Sequence, residues 1–237
     1  VRIPLRMQLS GRGVGEDEAL EGSEETLTTY YDDLSINEMF HAVRNKTVMA
    51  QQRVPWNIRS EGAAGIRDWY RDRIDTWFFN ALTGNTGEAD TLYTGHNATT
   101  APTSASGNTR ILYTGGHGSE ASLSTTNTFN LTLLDAAVAQ AKTATPLIRP
   151  VTVGSSDYYV AFLHPWQINS MRTNTNTGQW FDIQKAAMSG GDIEDNPIFS
   201  GAHGVYNGVV IHESTRIPVA PTNSSVRRAV FCGAQAA

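Results

Sequence analysis

Gly11, Gly13 and Gly15 alternate along a short stretch that then gathers Glu16, Asp17, Glu18, Glu21, Glu24 and Glu25. Closely spaced glycines suggest a phosphate cradle, and closely spaced acids suggest a calcium loop. Neither chemistry fits. A dinucleotide fingerprint needs G-x-G-x-x-G opening a helix directly after a strand, whereas the spacing here is G-x-G-x-G and the acids that follow repel phosphate. A Walker loop needs a Gly-Lys pair, and the chain has none. A calcium loop needs oxygen ligands at alternate positions, a glycine at the bend and a closing glutamate, a spacing that residues 16–25 do not keep. A solvated or interface loop suits these residues better.

The other reactive side chains do not converge either. His212-Glu213 opens the His-Glu-x-x-His pattern of zinc peptidases, but Arg216 stands where the second histidine belongs, and the surrounding residues read as a strand. His164 precedes Pro165 at a strand end and reads as a packed, hydrogen-bonded histidine. His41, His96, His117 and His203 show no ligand spacing. Cys232 is the only cysteine, so no internal disulfide forms, and its apolar surroundings make it a small core residue. There is no G-x-S-x-G elbow. The residues therefore assign no catalytic group, no metal and no cofactor, and they point away from an enzyme.

Composition suits a globular protein with much neutral polar surface. The chain has 237 residues, 40% of them hydrophobic and 17% charged, enough for a substantial core. The net charge of −5 gives no basic excess of the kind that marks a dedicated nucleic-acid binder. Only Lys46, Lys142 and Lys185 are lysines among 18 basic residues. Arginine's planar fork pairs bidentately with carboxylates and suits protein interfaces. No apolar run approaches the length of a membrane span, and no signal peptide is visible. Both ends fall within patterned sequence, as if the chain were part of a longer one.

Residues 1–9 alternate, with Val1, Ile3, Leu5, Met7 and Leu9 on one side and Arg2, Pro4, Arg6 and Gln8 on the other, which predicts a strand. Pro4 cannot donate to a ladder and places that strand at an edge. TLTTYYDDLSIN, residues 26–37, predicts a partner strand, so residues 1–36 form a long hairpin with the acidic loop at its tip. Apolar steps of three and four from Ile66 to Leu82 predict a long helix over about 56–83, with Asp68, Arg71 and Asp75 spaced to pair along its surface and Gly84 ending it. Residues 85–128 are Thr/Ser/Gly-rich and loop-like, with only TRILYT strand-like. A mixed α/β part follows: an amphipathic helix from Asn130, a buried strand DYYVAFLHP, a helix opened by Pro165, and a short helix at 179–191. An Asn207-Gly208 hairpin and a last strand around Val230 complete it.

Four stretches, VMAQQRVPWNIRSEGAAGIRDWYRDRIDTWFFNAL, YYVAFLHPWQINSMR, NPIFSGAHGVYNGVVIHESTRIP and RRAVFCGAQAA, occur in an order that resembles the major capsid proteins of tailed double-stranded-DNA phages. The similarity is closest to the family typified by coliphage N-four. It implies an α+β chain with the Hong Kong 97-type capsid fold. Residues 1–36 would be the E-loop hairpin. Residues 37–128 would be the peripheral domain, carrying the spine helix and the Thr/Ser/Gly-rich insertion. Residues 129–237 would be a mixed α/β axial domain. The family's N-terminal arm and final peripheral-domain strands are not seen.

The resemblance further implies copies of the same chain in hexamers and pentamers, a portal and a decoration or cement protein as partners, and non-specific contact with packaged DNA. No membrane is involved; the chain would be assembled in the bacterial cytoplasm and end in the virion capsid. A nanocompartment shell of the same fold is an alternative, as are a metal-dependent hydrolase using His164, His203 and His212 and a carbohydrate-binding tail module. The expected contacts between copies use Arg2, Arg6, Arg12, Glu16, Asp17, Glu18 and Glu21 of the hairpin and Arg59, Arg67, Arg71 and Arg73 of the spine helix. Some shells of this fold are welded by a Lys–Asn isopeptide bond from the E-loop. This hairpin has no lysine, so the chains of its shell should run singly in a denaturing gel.

Overall fold

The computed structural model describes residues 2–6, 9, 11–16, 18–27, 29–33, 36, 38–45, 48–87, 99–102, 104–105, 108–144, 147–174 and 202–234. The chain divides into two compact units, Val1–Met39 and Phe40–Ala237. The first is the hairpin. Strand β1 (Arg2–Arg6) pairs antiparallel with β2 (Thr29–Asp33), Arg2 opposite Asp33 and Pro4 opposite Tyr31. In a two-stranded ribbon both strands are edges, so Pro4 is tolerated. Residues 1, 7 and 8 of the predicted strand lie outside the described residues.

In the second unit a short helix α1 (Val48–Arg53) precedes the long helix α2 (Ile58–Leu82). Its 25 residues span nearly 40 Å. Both ends are sealed by local sequence. Asn57 Oδ1 accepts from the backbone N–H of Arg59 at 3.0 Å and of Ser60 at 3.4 Å. At the other end Gly84 takes the left-handed φ of 58° that glycine adopts without strain. There Gly84 N–H donates to the Ala81 carbonyl and Asn85 N–H to the Asn80 carbonyl, the paired bonds of a Schellman stop.

The insertion differs from its reading. The sequence predicts a strand at TRILYT, but residues 110–113 have no strand partner. Among the described residues the only ladder there is β3 (Ser104–Ala105) with β4 (Asn108–Thr109), followed by two 3-10 turns at Thr114–Gly116 and Glu120–Ser122. A β-branched run becomes a strand only where a neighbouring ladder receives it.

The remainder is one sheet with cover on both faces. Helix α3 (Leu131–Thr143), capped by Asn130, leads through β5 (Val151–Val153) to β6 (Ser156–Leu163) and α4 (Pro165–Thr173). Strands β7 (Ala202–Tyr206) and β8 (Val209–Glu213) form the Asn207-Gly208 hairpin, both turn residues at positive φ (47° and 73°), as a two-residue turn of this twist requires. β9 (Val219–Ala220) and β10 (Asn223–Arg227) pair separately, and β11 (Val230–Cys232) joins β6. The sheet order is β11-β6-β8-β7, with β6 and β8 parallel and β5 also on β6. The predicted short helix at 179–191 lies outside the described residues.

Strand β6 distributes its side chains by period two. Tyr159, Ala161 and Leu163 face Leu131, Leu134, Val138, Ala141, Ile168 and Met171 of the two helices, together with Val209 and Ile211. Phe162 belongs to the other cluster, with Phe79, Ile217 and Val230. The sheet therefore seats α3 and α4 on one face and the C-terminal end of α2 on the other.

Candidate functional site

Helix α2 presents three kinds of surface. At its C-terminal end Phe79 is buried against Ile217 and Val230, and Asp72 pairs with Arg216 at 2.6 Å. Another side is covered by the strap that leads into it: His41 stacks on Trp69 with ring centroids 4.2 Å apart, and Val43 lies over Gly62. The third side is open. Arg67, Arg71, Ile74 and Phe78 recur at steps of four, three and four and so share one stripe. Ile74 is 53% and Phe78 48% exposed. Two large apolar side chains a turn apart beside two arginines are unusual on a surface that serves only solvent.

The strap and the hairpin carry more apolar surface. Phe40, Val43, Met49 and Trp56 are exposed, as are Leu9, Leu20 and Leu27 in the hairpin loop. Leu20 lies between Glu18 and Glu21, so the acidic loop has an apolar residue among its charges.

The loop is shaped by its own carboxylates. Glu25 Oε2 accepts from Gly11 N–H at 2.7 Å and Glu24 Oε2 from Gly22 N–H at 2.8 Å. Glu18 takes the Arg12 guanidinium and, at 3.4 Å, the Gly15 N–H. Arg2 meets Asp33 at 3.0 Å and lies 4.2 Å over the Tyr31 ring. Sequence reasoning assigned Arg2, Arg12 and Glu18 to a neighbour; within one chain they already have these partners, though all four groups of the two ion pairs stay exposed. Glu16 and Glu21 are exposed at the tip. Asp17 and the Arg6 side chain lie outside the described residues. On α2, Arg59 and Arg67 are exposed, and Arg71 takes Asp68 at 3.6 Å among the described ion pairs, with Asp75 left out. Arg73 is half-buried and turned toward Trp69, 5.5 Å from its centroid, which removes it from the open stripe.

The histidines have structural positions. His164 is the N-cap of α4: its Nδ1 accepts from Trp166 N–H at 3.2 Å, while its own N–H donates to Gln167 Oε1 at 2.9 Å. Gln167 in turn donates to the Arg227 carbonyl at 3.0 Å. His212 lies in a strand, stacked on its register partner Phe162 at 5.6 Å. The His203 side chain lies outside the described residues. No group of three or more metal-ligating side chains occurs among the described residues. Burial raises the Cys232 thiol, which favours the inert form.

Burial, reinforced by Arg227 and opposed by Glu213, holds His164 below the ordinary histidine range. The sign follows: the neutral ring is favoured in the fold, so its contribution is complete above the unfolded value and declines as pH falls from there toward the folded value. Protonation also removes the Nδ1 acceptor of the cap. Thermal melts of the wild type should therefore lose stability as pH falls below the ordinary histidine value of about 6.5, whereas His164→Asn, which retains a capping oxygen, should show a flatter profile there. Parallel profiles for the two proteins would contradict this role.

Sequence reasoning missed one part-buried node altogether. Glu120, in the second 3-10 turn, pairs with Arg228 at 2.5 Å, the two side chains only 12% and 18% exposed. Arg228 also donates to the carbonyls of Thr83 and Gly84, at 3.2 and 3.0 Å, where α2 ends. Glu120 accepts from Thr222 at 2.8 Å, and Asn223 donates to the Glu120 and Leu123 carbonyls. The insertion, the base of α2 and the β9–β10 ribbon are thus tied through one ion pair. The signal was present but slight: Glu120 is the only acid between Asp90 and Asp135.

This arrangement defines a class: a mixed α+β chain with structured polar nodes inside and large apolar and charged surfaces outside. Comparison with known proteins supplies the family. The phage capsid protein family model matches residues 1–237, and the chain belongs to that family. It is 25% identical to the major capsid protein of Pseudomonas phage KPP25, over 99% of this chain and 67% of that protein. Among solved structures, the capsid of Ralstonia phage GP4 superposes with a TM-score of 0.80 at 29% identity, covering 98% of this chain and 67% of that one. The cyanophage Pam1 capsid shares the fold, with a TM-score of 0.57 at 19% identity over 92% of this chain and 62% of that one. The chain is a structural subunit of a phage capsid and belongs in the virion. The shell reading thus holds over the hydrolase, nanocompartment and tail-module alternatives.

Proposed function

We propose that the chain has the Hong Kong 97-type fold and builds an icosahedral shell in which the hairpin of one copy reaches onto α2 of another. Residues 1–36 are the E-loop, α2 is the spine helix with the rest of 37–128 in the peripheral domain, and 129–237 form the axial domain. The observation that carries this is the open stripe on α2. Ile74 and Phe78 lie beside Arg67 and Arg71 on a helix otherwise used by its strap and its base. The hairpin loop offers the complement, Leu20 between acids.

Exposed ion pairs contribute about 0–1 kcal/mol each, so the charges set register while the apolar contact supplies affinity. Arg2 and Arg12 are exposed and can exchange partners with a neighbour's acids, and Arg6 is assigned to the same contact from the sequence. Repetition of one contact by symmetry closes rings of hexamers and pentamers, and many contacts per subunit accumulate avidity. The double-stranded DNA inside is contacted without specificity, consistent with a net charge of −5. A portal and a decoration protein complete the particle, which forms in the host cytoplasm. The coliphage N-four affinity rests on the four sequence stretches alone.

Reversal of the tip charges tests the register role. Glu16→Lys with Glu21→Lys should leave the far-ultraviolet circular dichroism and melting of the subunit unchanged, while closed particles in sedimentation and negative-stain images fall to a small fraction. A normal particle yield would refute the role.

A further inference from the structure

Asn207-Gly208 is the only Asn-Gly in the chain. Such a pair is the peptide sequence most prone to self-modification, because glycine offers no side chain to shield its nitrogen. The Gly208 backbone nitrogen, on losing its proton, attacks Asn207 Cγ; the Cγ–Nδ2 bond breaks and ammonia leaves. The resulting succinimide adds water and opens to aspartate or isoaspartate. Asn207 is exposed and water reaches it.

The structure restrains the Asn207 side chain and the turn that carries it. Asn207 Nδ2 donates to Asp135 Oδ1 on α3 at 2.9 Å, and the other oxygen of the same carboxylate accepts from Tyr206 Oη at 3.0 Å. The side chain whose carbonyl must swing onto Gly208 nitrogen is therefore anchored to a helix. The turn itself is locked with both residues at positive φ, and the Gly208 carbonyl accepts from Tyr159 N–H at 2.8 Å. We infer that Asn207 is a latent deamidation site and that Asp135 holds it in check. The product would set a second carboxylate against Asp135, breaking the contact that joins the β7–β8 hairpin to α3. A capsid subunit is not replaced after assembly, so such protection sets how long a shell endures.

The test is peptide mapping by mass spectrometry after incubation at neutral pH and 37 °C. A hydrogen bond to an ionised acceptor is worth about a factor of ten or more, so Asn207 in native protein should gain the one-dalton product at least about tenfold more slowly than in urea-unfolded protein. Asp135→Ala should raise the native rate by about the same factor. Val138→Ala, which loosens the same helix without touching the turn, controls for lost stability and should leave the rate near wild type. The inference is overturned if native and unfolded chains deamidate alike. It is equally overturned if Asp135→Ala is no faster than Val138→Ala, or if it is slower, which would make the carboxylate a promoter.

Discussion

Arg228→Ala is expected to cost the subunit about 3 kcal/mol of folding stability and to lower its melting temperature by roughly 6–12 °C. The loss has three sources. Glu120 is left part-buried without its partner cation. The Thr83 and Gly84 carbonyls lose their donor at the end of α2, where a positive charge also favours the helix dipole. The β9–β10 ribbon loses its tie to the insertion through Glu120 and Thr222. Urea unfolding measures the change, and Glu120→Gln with the double variant completes a cycle whose coupling energy should exceed 1 kcal/mol, an estimate for charges in direct contact.

The pH dependence has a defined sign. Burial alone would raise the Glu120 carboxyl, but hydrogen bonds from Arg228 and Thr222 and the Arg228 charge outweigh it and hold the group below the ordinary glutamate range. Its stabilisation is thus present above the unfolded value and is lost as pH falls through the folded one. Glu120→Gln should flatten that acid limb. An Arg228→Ala melt within a degree of wild type would show that the node is incidental.

The second large effect concerns assembly. Ile74→Asp with Phe78→Asp should abolish closed particles while the isolated subunit keeps its melting temperature within about 2 °C, since both residues are half exposed already. An aliphatic or aromatic side chain buried at a contact contributes about 1.5–3 kcal/mol. Loss of about 3 kcal/mol weakens one contact more than a hundredfold, and repetition over every contact in a shell multiplies the deficit. Size-exclusion chromatography with light scattering separates the outcomes. Particles forming at the wild-type critical concentration would place the interface elsewhere.

How much of this was legible depends on the range of the interaction. Local rules gave α2 with its glycine stop, the Pro165 helix, the Asn207-Gly208 turn and the buried β6, because apolar periodicity and backbone geometry act within a few residues. TRILYT misled because a strand needs a ladder, and among the described residues only Thr109 of that stretch is in one. The Glu120–Arg228 node joins residues 108 positions apart and leaves no periodic trace. The arginines proposed for the interface were visible as a class, but the partners they take within the chain were not. Arg73 turns in toward Trp69, Arg12 and Glu18 take each other, and the open stripe includes Ile74 and Phe78, whose exposure the apolar periodicity does not show. Sequence marks a residue as apolar; only the packing shows that Phe79 is buried against Ile217 and Val230 while Ile74 and Phe78 stay exposed.

The most direct test is a cryo-electron microscopy map of particles assembled from the expressed protein. The account predicts closed icosahedral shells in which residues 11–25 of one copy cover Ile74 and Phe78 of another, with Glu16 and Glu21 beside Arg67 and Arg71. Shells in which that stripe of α2 stands open to solvent, or small monodisperse objects in place of shells, would contradict it.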